Sequence, residues 1–444
     1  MSKGFSLIFN GPDGKQYDRS TDKPLTVKRG VVTNLGTSGK DNVEIEAPYV
    51  TFFADEAQTF TFAKGSKVTI DAGLFEYSVN GGKWTTMVAD TPITFGGADG
   101  DLRLRGKSPN GTSDRNGLNK SYNVKFGTTD VKVRCKGDIR TLIDYEKYLT
   151  ANTRNARFER LFQGASPLVS APELPATVLP EECCSYMFFA CKQLKYSPDL
   201  KATTVGQNAY YCMFQSCKAL KKAPEILATE LIGRNNCYMM FAWCSALEES
   251  PSALYAETLQ HECYRLMFQD CSSLKKDPVI KAVKIQGGNS HCCSMFTGCK
   301  SLETVQDVLF AEETVLFPNI CQEMFRNCTS LKKAPALPSM RLGENCYSNM
   351  FFGCTSLTKT PKLPAETLVS NCYGSMFQNC TSLTEVWLNA KTNLSRGLSM
   401  YTFEGCPSTG VTAHIRKDRD YTSIGSLLEK PDWTYVDIET GEIL

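Results

Sequence analysis

A chain of 444 residues is long for one compact domain, so two or three folding units are expected. Apolar residues at 42% allow real cores, and charged residues at 22% are ordinary for a soluble surface. The balance of 49 basic against 47 acidic residues points to no nucleic-acid or acidic-lipid partner, and no stretch approaches the ~18 apolar residues of a membrane span.

Residues 1–48 carry turn signals, among them Gly11-Pro12-Asp13-Gly14, and are expected to form a separate arm or small docking element. The opening residues hold one lysine and an apolar run too short for a secretory leader, so a chain that folds in a cytosol is expected. Residues 49–140 alternate in the manner of strands, as at Phe60/Phe62, Phe75/Tyr77/Val79, Leu102/Leu104 and Tyr122/Val124/Phe126. Asn80-Gly81-Gly82 between Val79 and Trp84 is a hairpin turn signal. Many short strands with glycine-rich turns predict an all-β sandwich of immunoglobulin-like kind. Gly96-Gly97-Ala98-Asp99-Gly100-Asp101 has the look of a calcium-binding turn, but it occurs once, and an ordinary β-turn is the preferred reading.

From 141 to 407 the chain repeats a phrase, Met-Phe-x-x-Cys-x-x-Leu. It starts at Met187, Met213, Met240, Met267, Met295, Met324, Met350 and Met376, with degenerate copies at Leu161-Phe162 and Thr402-Phe403. About ten units at spacings of 26 to 29 residues are the signature of a solenoid. In one unit, Leu368, Cys372, Met376 and Cys380 fall at i, i+4, i+8 and i+12 with Phe377 beside them, which predicts a helix face. Polar Ser370, Asn371, Ser375 and Gln378 stand opposite, and Pro364 stands just ahead. A short extended piece follows, as in Leu331 to Pro338, where prolines bar helix. Each unit therefore reads as one helix plus one short strand, in a stack curved because helices are bulkier than strands.

Nineteen of the twenty cysteines lie in these units at fixed places. If the stretch is helical, Cys372 and Cys380 sit ~12 Å apart, too far to bridge. A ladder of buried free thiols is preferred over inter-repeat disulfides or metal. His291-Cys292-Cys293 with Cys299 lacks the paired spacing of a zinc site. After each repeat leucine the exposed pair varies, and its order gives Lys221-Lys222, Glu248-Glu249, Lys275-Lys276, Glu303-Thr304 and Lys332-Lys333. Parallel stacking would set lysines beside glutamates, a self-neutralised ladder rather than a ligand patch. Tyr196 and Trp387, at opposite ends of that face, are the better contact candidates. Residues 408–444 leave the repeat: strand over 411–415, short helix over 421–429, last strand over 433–438, together a structural cap.

The pattern Cys-Tyr-x-x-Met-Phe-x-x-Cys-x-Ser-Leu-x-x-x-Pro-x-Leu-Pro-Ala resembles the BspA-type leucine-rich repeat over about Asn155 to Pro407. The resemblance implies an α/β leucine-rich-repeat solenoid and surface attachment or adhesion. The segment Phe75 to Trp84 with Leu102 to Gly106 is similar to the β-module that precedes such repeats in gut bacteria. Leader-less repeat modules of this kind also occur in virion proteins of tailed, crAss-like phages of the same hosts. That resemblance implies a virion component, with other virion proteins or a host-surface protein or glycan as partner and a homo-oligomer compatible. A bacterial-surface adhesin and an intracellular scaffold are the alternatives. No Gly-x-Ser-x-Gly, His-Glu-x-x-His or phosphate loop is present, so neither enzyme chemistry nor a cofactor is expected.

Overall fold

The computed structural model describes residues 5–10, 16–21, 48–115, 119–312, 314–418, 430 and 432–444. They fall into two compact units, Met1–Pro48 and Tyr49–Leu444. In the first, β1 (Phe5–Asn10) pairs antiparallel with β2 (Gln16–Thr21), from Phe5↔Thr21 to Asn10↔Gln16. The turn expected at Gly11 to Gly14 lies outside the described residues.

The second unit opens with two antiparallel sheets. One has the order β10 (Val133–Lys136), β3 (Val50–Ala54), β8 (Leu102–Gly106), β5 (Phe75–Val79), β6 (Thr85–Thr86). The other runs β7 (Pro92–Phe95), β4 (Gln58–Lys64), β9 (Tyr122–Phe126). Aromatic side chains fill the space between them: Phe62 stacks on Tyr122 at 4.3 Å, and Phe75 meets both rings edge-on. The hairpin signal holds, with Asn80 and Gly81 both at positive φ and Gly82 N–H returning to the Val79 carbonyl.

Both sheets run on into the repeats. The Val133 N–H bonds to the Pro167 carbonyl at 2.9 Å and Val169 returns to Val133 at 2.7 Å, so β10 acts as the solenoid's first rung. On the opposite side Val124 N–H reaches Leu161 O at 2.6 Å. Phe52 lies 6.2 Å from Phe162, and one hydrophobic cluster runs from Val50 to Trp433. Residue 140 therefore marks a change of pattern, not a gap in packing.

The helix expected in each coil is not there. Between 371 and 380 the N–H groups of Cys372, Gly374, Met376, Gln378 and Cys380 each turn back three residues. Those of Asn371, Tyr373, Phe377 and Asn379 instead reach carbonyls of the next coil, at Arg396, Gly397, Thr402 and Glu404. Asn371, Ser375 and Asn379 hold φ of 52°, 51° and 62°. The segment is a ribbon of four-residue turns, and its true period is 4, not 3.6. Apolar residues at i and i+1 of every four then point inward, which a helix face read over three turns also fits. Among the described residues the one α-helix is α1 (Leu394–Gly397), four residues long.

Spacing explains why turns win. Parallel helices pack ~8–10 Å apart, whereas strands stack at ~4.8 Å. A turn ribbon rises at nearly the strand value, so both sides of a coil stack with the same step and the reason for expecting curvature falls away. Phe162, Phe188, Phe214, Phe241, Phe268, Phe296, Phe325, Phe351, Phe377 and Phe403 form one stacked column, each step 5.4 to 5.7 Å and nearly parallel.

The other side of each coil is a parallel ladder of short pieces. β11 (Val178–Leu179), β12 (Thr204–Val205) and β13 (Glu230–Leu231) form one sheet. β14 (Ala253–Leu254) and β15 (Thr258–Leu259) pair with β16 (Val279–Ile280) and β17 (Lys284–Ile285) respectively. At the far end β18 (Glu385–Leu388), β19 (Thr412–Ile415) and β20 (Thr434–Asp437) close the ladder. The helix expected over 421–429 lies outside the described residues.

The ribbon makes a prediction. Asn349, at φ 55°, occupies a left-handed position that asparagine tolerates and a β-branched residue does not. Asn349→Val should destabilise by ~1–2 kcal/mol in denaturant melts, and Asn349→Gly by much less. Equal costs would contradict the turn ribbon.

Candidate functional site

The repeat cysteine is a structural group. Cys191, Cys217, Cys244, Cys271, Cys299, Cys328, Cys354, Cys380 and Cys406 each direct the thiol to the carbonyl of the preceding coil's phenylalanine, at 3.0 to 3.2 Å. That carbonyl also accepts an N–H from three residues ahead, as Phe268 O does from Cys271. Burial pushes these thiols up, Cys244 to about 12 and Cys406 to about 11. All twenty cysteines are free and buried, so none is poised as a nucleophile.

His291 is buried with Nε2 2.8 Å from the Gly287 carbonyl, and burial lowers its pKa. The Cys299 thiol points away, to Phe268 O. Among the described residues no three His, Cys, Asp or Glu side chains converge as metal ligands. In the glycine-rich turn at 96–101, Asp101 is held by Arg103 at 2.6 Å.

The strand face brings the charged pairs together in register. Glu248 lies between Lys221 at 3.7 Å and Lys275 at 3.0 Å, and hydrogen bonding from Lys275 holds its carboxyl below the usual range. Lys222 meets Glu249 at 3.2 Å, Lys332 meets Glu303 at 3.9 Å, and Lys333 meets Asp307 at 3.1 Å. Lys276 stands in register with Thr304. These exposed pairs are worth little each, but they offset most of the lysine charge on the face, Lys276 remaining beside a neutral residue. Trp387 has its ring 3.7 Å from the ring of His414, Lys362 over it at 4.9 Å, and its indole N–H on Glu385. It closes the ladder more than it offers a free ring. Tyr196 is 66% exposed and stands apart from Trp387, many coils away.

Two features escape sequence reasoning. Asp277 is buried, 4% exposed, in a column filled elsewhere by Ala223, Val305, Ala334 and Thr360. Both its oxygens accept the Gln306 N–H at 3.1 Å, and among the described residues it makes no ion pair. The signal was its position, where a carboxylate interrupts a row of small side chains. The second feature is a stripe of half-buried rings on the outer face of the turn ribbon. Tyr211 and Tyr238 stack at 4.9 Å and Tyr186 lies tilted against Tyr211 at 5.3 Å, with Arg160 over one end at 4.0 Å and Arg265 over the other at 5.9 Å. Under a helical reading these positions scatter around a cylinder, which hides them.

No family model and no curated protein sequence matches the chain. Among solved structures, the chain is similar to a leucine-rich repeat protein from Bacteroides ovatus at 18% identity, over 63% of this chain and 86% of that one, with a TM-score of 0.18. A second is the TLR13–ssRNA13 complex at 13% identity, over 64% of this chain and 39% of that one, with a TM-score of 0.27. The solenoid stands on its own coil-to-coil hydrogen bonds.

Two measurements test this site. Alkylation without reductant should label few thiols in the native chain and nearly all after denaturation; protection that survives denaturation would mean disulfides. Burial raises the Asp277 carboxyl to about 6, above its unfolded value near 3.9. The native state therefore keeps a proton that the unfolded chain releases, and stability falls as pH rises from about 4 to about 6. Asp277→Asn should gain on the order of 2–3 kcal/mol relative to the parent at pH 7 and nothing at pH 4. The same difference at both pH values would refute the assignment.

Proposed function

We propose that this chain is a non-enzymatic interaction protein whose solenoid presents surface to a protein or glycan partner. The observation that carries this reading is how the interior is used. The repeat Met, Phe, Cys and Leu side chains are buried in coil after coil, as are Met267, Phe268, Cys271 and Leu274. Most of what differs between coils lies outside, where recognition varies without altering the scaffold.

In its finer form the reading is a virion component of a tailed phage, serving as fibre, decoration or host-contact module. The N-terminal region docks it, and the β-module, immunoglobulin-like in this reading, leads into the presenting repeats. The thiols favour a virion protein over an exported adhesin. Twenty buried free cysteines suit assembly in a reducing cytosol, where virions are built, whereas export would pass them through oxidising surroundings before they are buried.

Mass spectrometry of density-purified virions, from a phage whose genome encodes this chain, tests the proposal. The chain should appear at a stoichiometry typical of structural proteins. Its absence from intact particles, with capsid and tail proteins present, would overturn the virion reading.

A further inference from the structure

We infer that the aromatic stripe on the outer face of the turn ribbon, in the coils from Tyr186 to Arg265, binds an extended, uncharged oligosaccharide. This rests on the interaction-protein reading and gives that partner a chemical class and a place.

The fold does not require the rings. In the column of Tyr186 the next coils carry Cys212, Met239 and Leu266, and later ones Ser294, Glu323, Asn349, Ser375 and Tyr401. In the column of Tyr211 and Tyr238 they carry Gln322, Ser348 and Gly374. Those coils stack with the same Phe–Phe step and the same backbone bonds. Aromatic side chains here are thus an addition to the scaffold, adjacent to one another in this stretch, whereas Phe352 and Tyr401 stand singly in later coils. Phe189 meets Tyr186 edge-on at 5.7 Å, and Trp243, 37% exposed, extends the apolar surface on the same ribbon. Apolar patches kept at a surface mark contact sites.

Three observations select the occupant. The first is charge. Arg160 is paired with Glu159 at 3.1 Å and Arg265 with Glu262, so the rim carries no unbalanced field for an anionic polymer. The second is size. The stripe spans four coils, roughly 20 Å at strand spacing, and one ribbon in width. That falls short of the ~800 Å² per side of a standard protein–protein interface, which argues against a second copy or a folded partner. The third is register. Successive tyrosine rings are 5.3 and 4.9 Å apart, and a pyranose unit in an extended β-linked chain advances by a closely similar distance. A sugar chain laid along the stripe meets one ring edge per unit, its C–H groups against the exposed aromatic carbon and its hydroxyls toward the phenols and the Arg–Glu rim.

The test is titration of the full chain with cellotetraose, mannotetraose and chitotetraose, with a heparin tetrasaccharide as anionic control, followed by tryptophan fluorescence and calorimetry. At least one neutral tetrasaccharide should bind saturably. Tyr211→Ser combined with Trp243→Asn should weaken it by about tenfold or more while a cooperative melting transition is kept. Both replacements are residues that other coils carry in those columns, at Ser348 and Asn327. Phe189→Gln, matching Gln215 and Gln269, gives an independent second variant. No saturable binding of any neutral tetrasaccharide, unchanged binding in the variants, or binding of the heparin fragment alone would overturn the inference. So would a protein partner that needs these rings while no saccharide binds. The presence or absence of the chain in virions is a separate outcome and decides only the particle.

Discussion

A coil pressed between two other coils must satisfy its backbone without water, and the rest of this structure follows from that requirement. On the ribbon side the solution is alternation. One N–H closes a turn within its own coil, and another crosses to the next, as when Phe268 donates to Met295 at 2.9 Å. Crossing bonds of that length force neighbouring coils to within strand distance. The step then selects the side chains. Flat phenylalanine rings tolerate stacking at 5.4 to 5.7 Å, and small cysteines fit beside them. A helix satisfies its backbone internally, so it would neither need nor permit so short a step.

The cysteine column shows how far this logic reaches. Each phenylalanine carbonyl is offered one N–H by its own coil, and the thiol of the next coil supplies a second donor. Serine would place a better hydrogen-bonding group there, but it is more polar than the apolar column around Phe and Met requires. Cysteine combines a weak donor with hydrophobic bulk. The price is a column of thiols that must stay reduced until it is packed.

Much of this was legible in the sequence. The repeat phrase located every coil, its four letters named the buried columns, and the ends of the last strands fell within two residues of their positions at Thr412–Ile415 and Thr434–Asp437. The helix was misread because an i, i+4, i+8 pattern drifts only about 40° per step around a helix and so stays within one broad apolar face. The discriminating signal was on the polar side. Asn371, Ser375 and Asn379, like Asn345, Asn349 and Gly353, recur every four residues, and asparagine and glycine are residues that accept left-handed backbone. The junction of β-module and repeats was invisible for a different reason. Bonds such as Val133 to Pro167 join two dissimilar patterns, and no periodicity spans them.

The two outer faces differ in what a partner could gain from them. On the strand face, Lys275 and Glu248 or Lys222 and Glu249 already satisfy one another, and any ligand must first displace an interaction of similar strength in water. On the ribbon face, Tyr211 and Tyr238 lie face to face with Tyr186 tilted against Tyr211, and all three rings stay half-exposed. Covering the aromatic carbon left exposed there is favourable, provided the ligand replaces the hydrogen bonds of the phenol hydroxyls. A scaffold that fixes ring positions through its own stacking also removes the rotamer entropy that a flexible site would lose on binding. The same short step that orders the core therefore preorganises the surface above it.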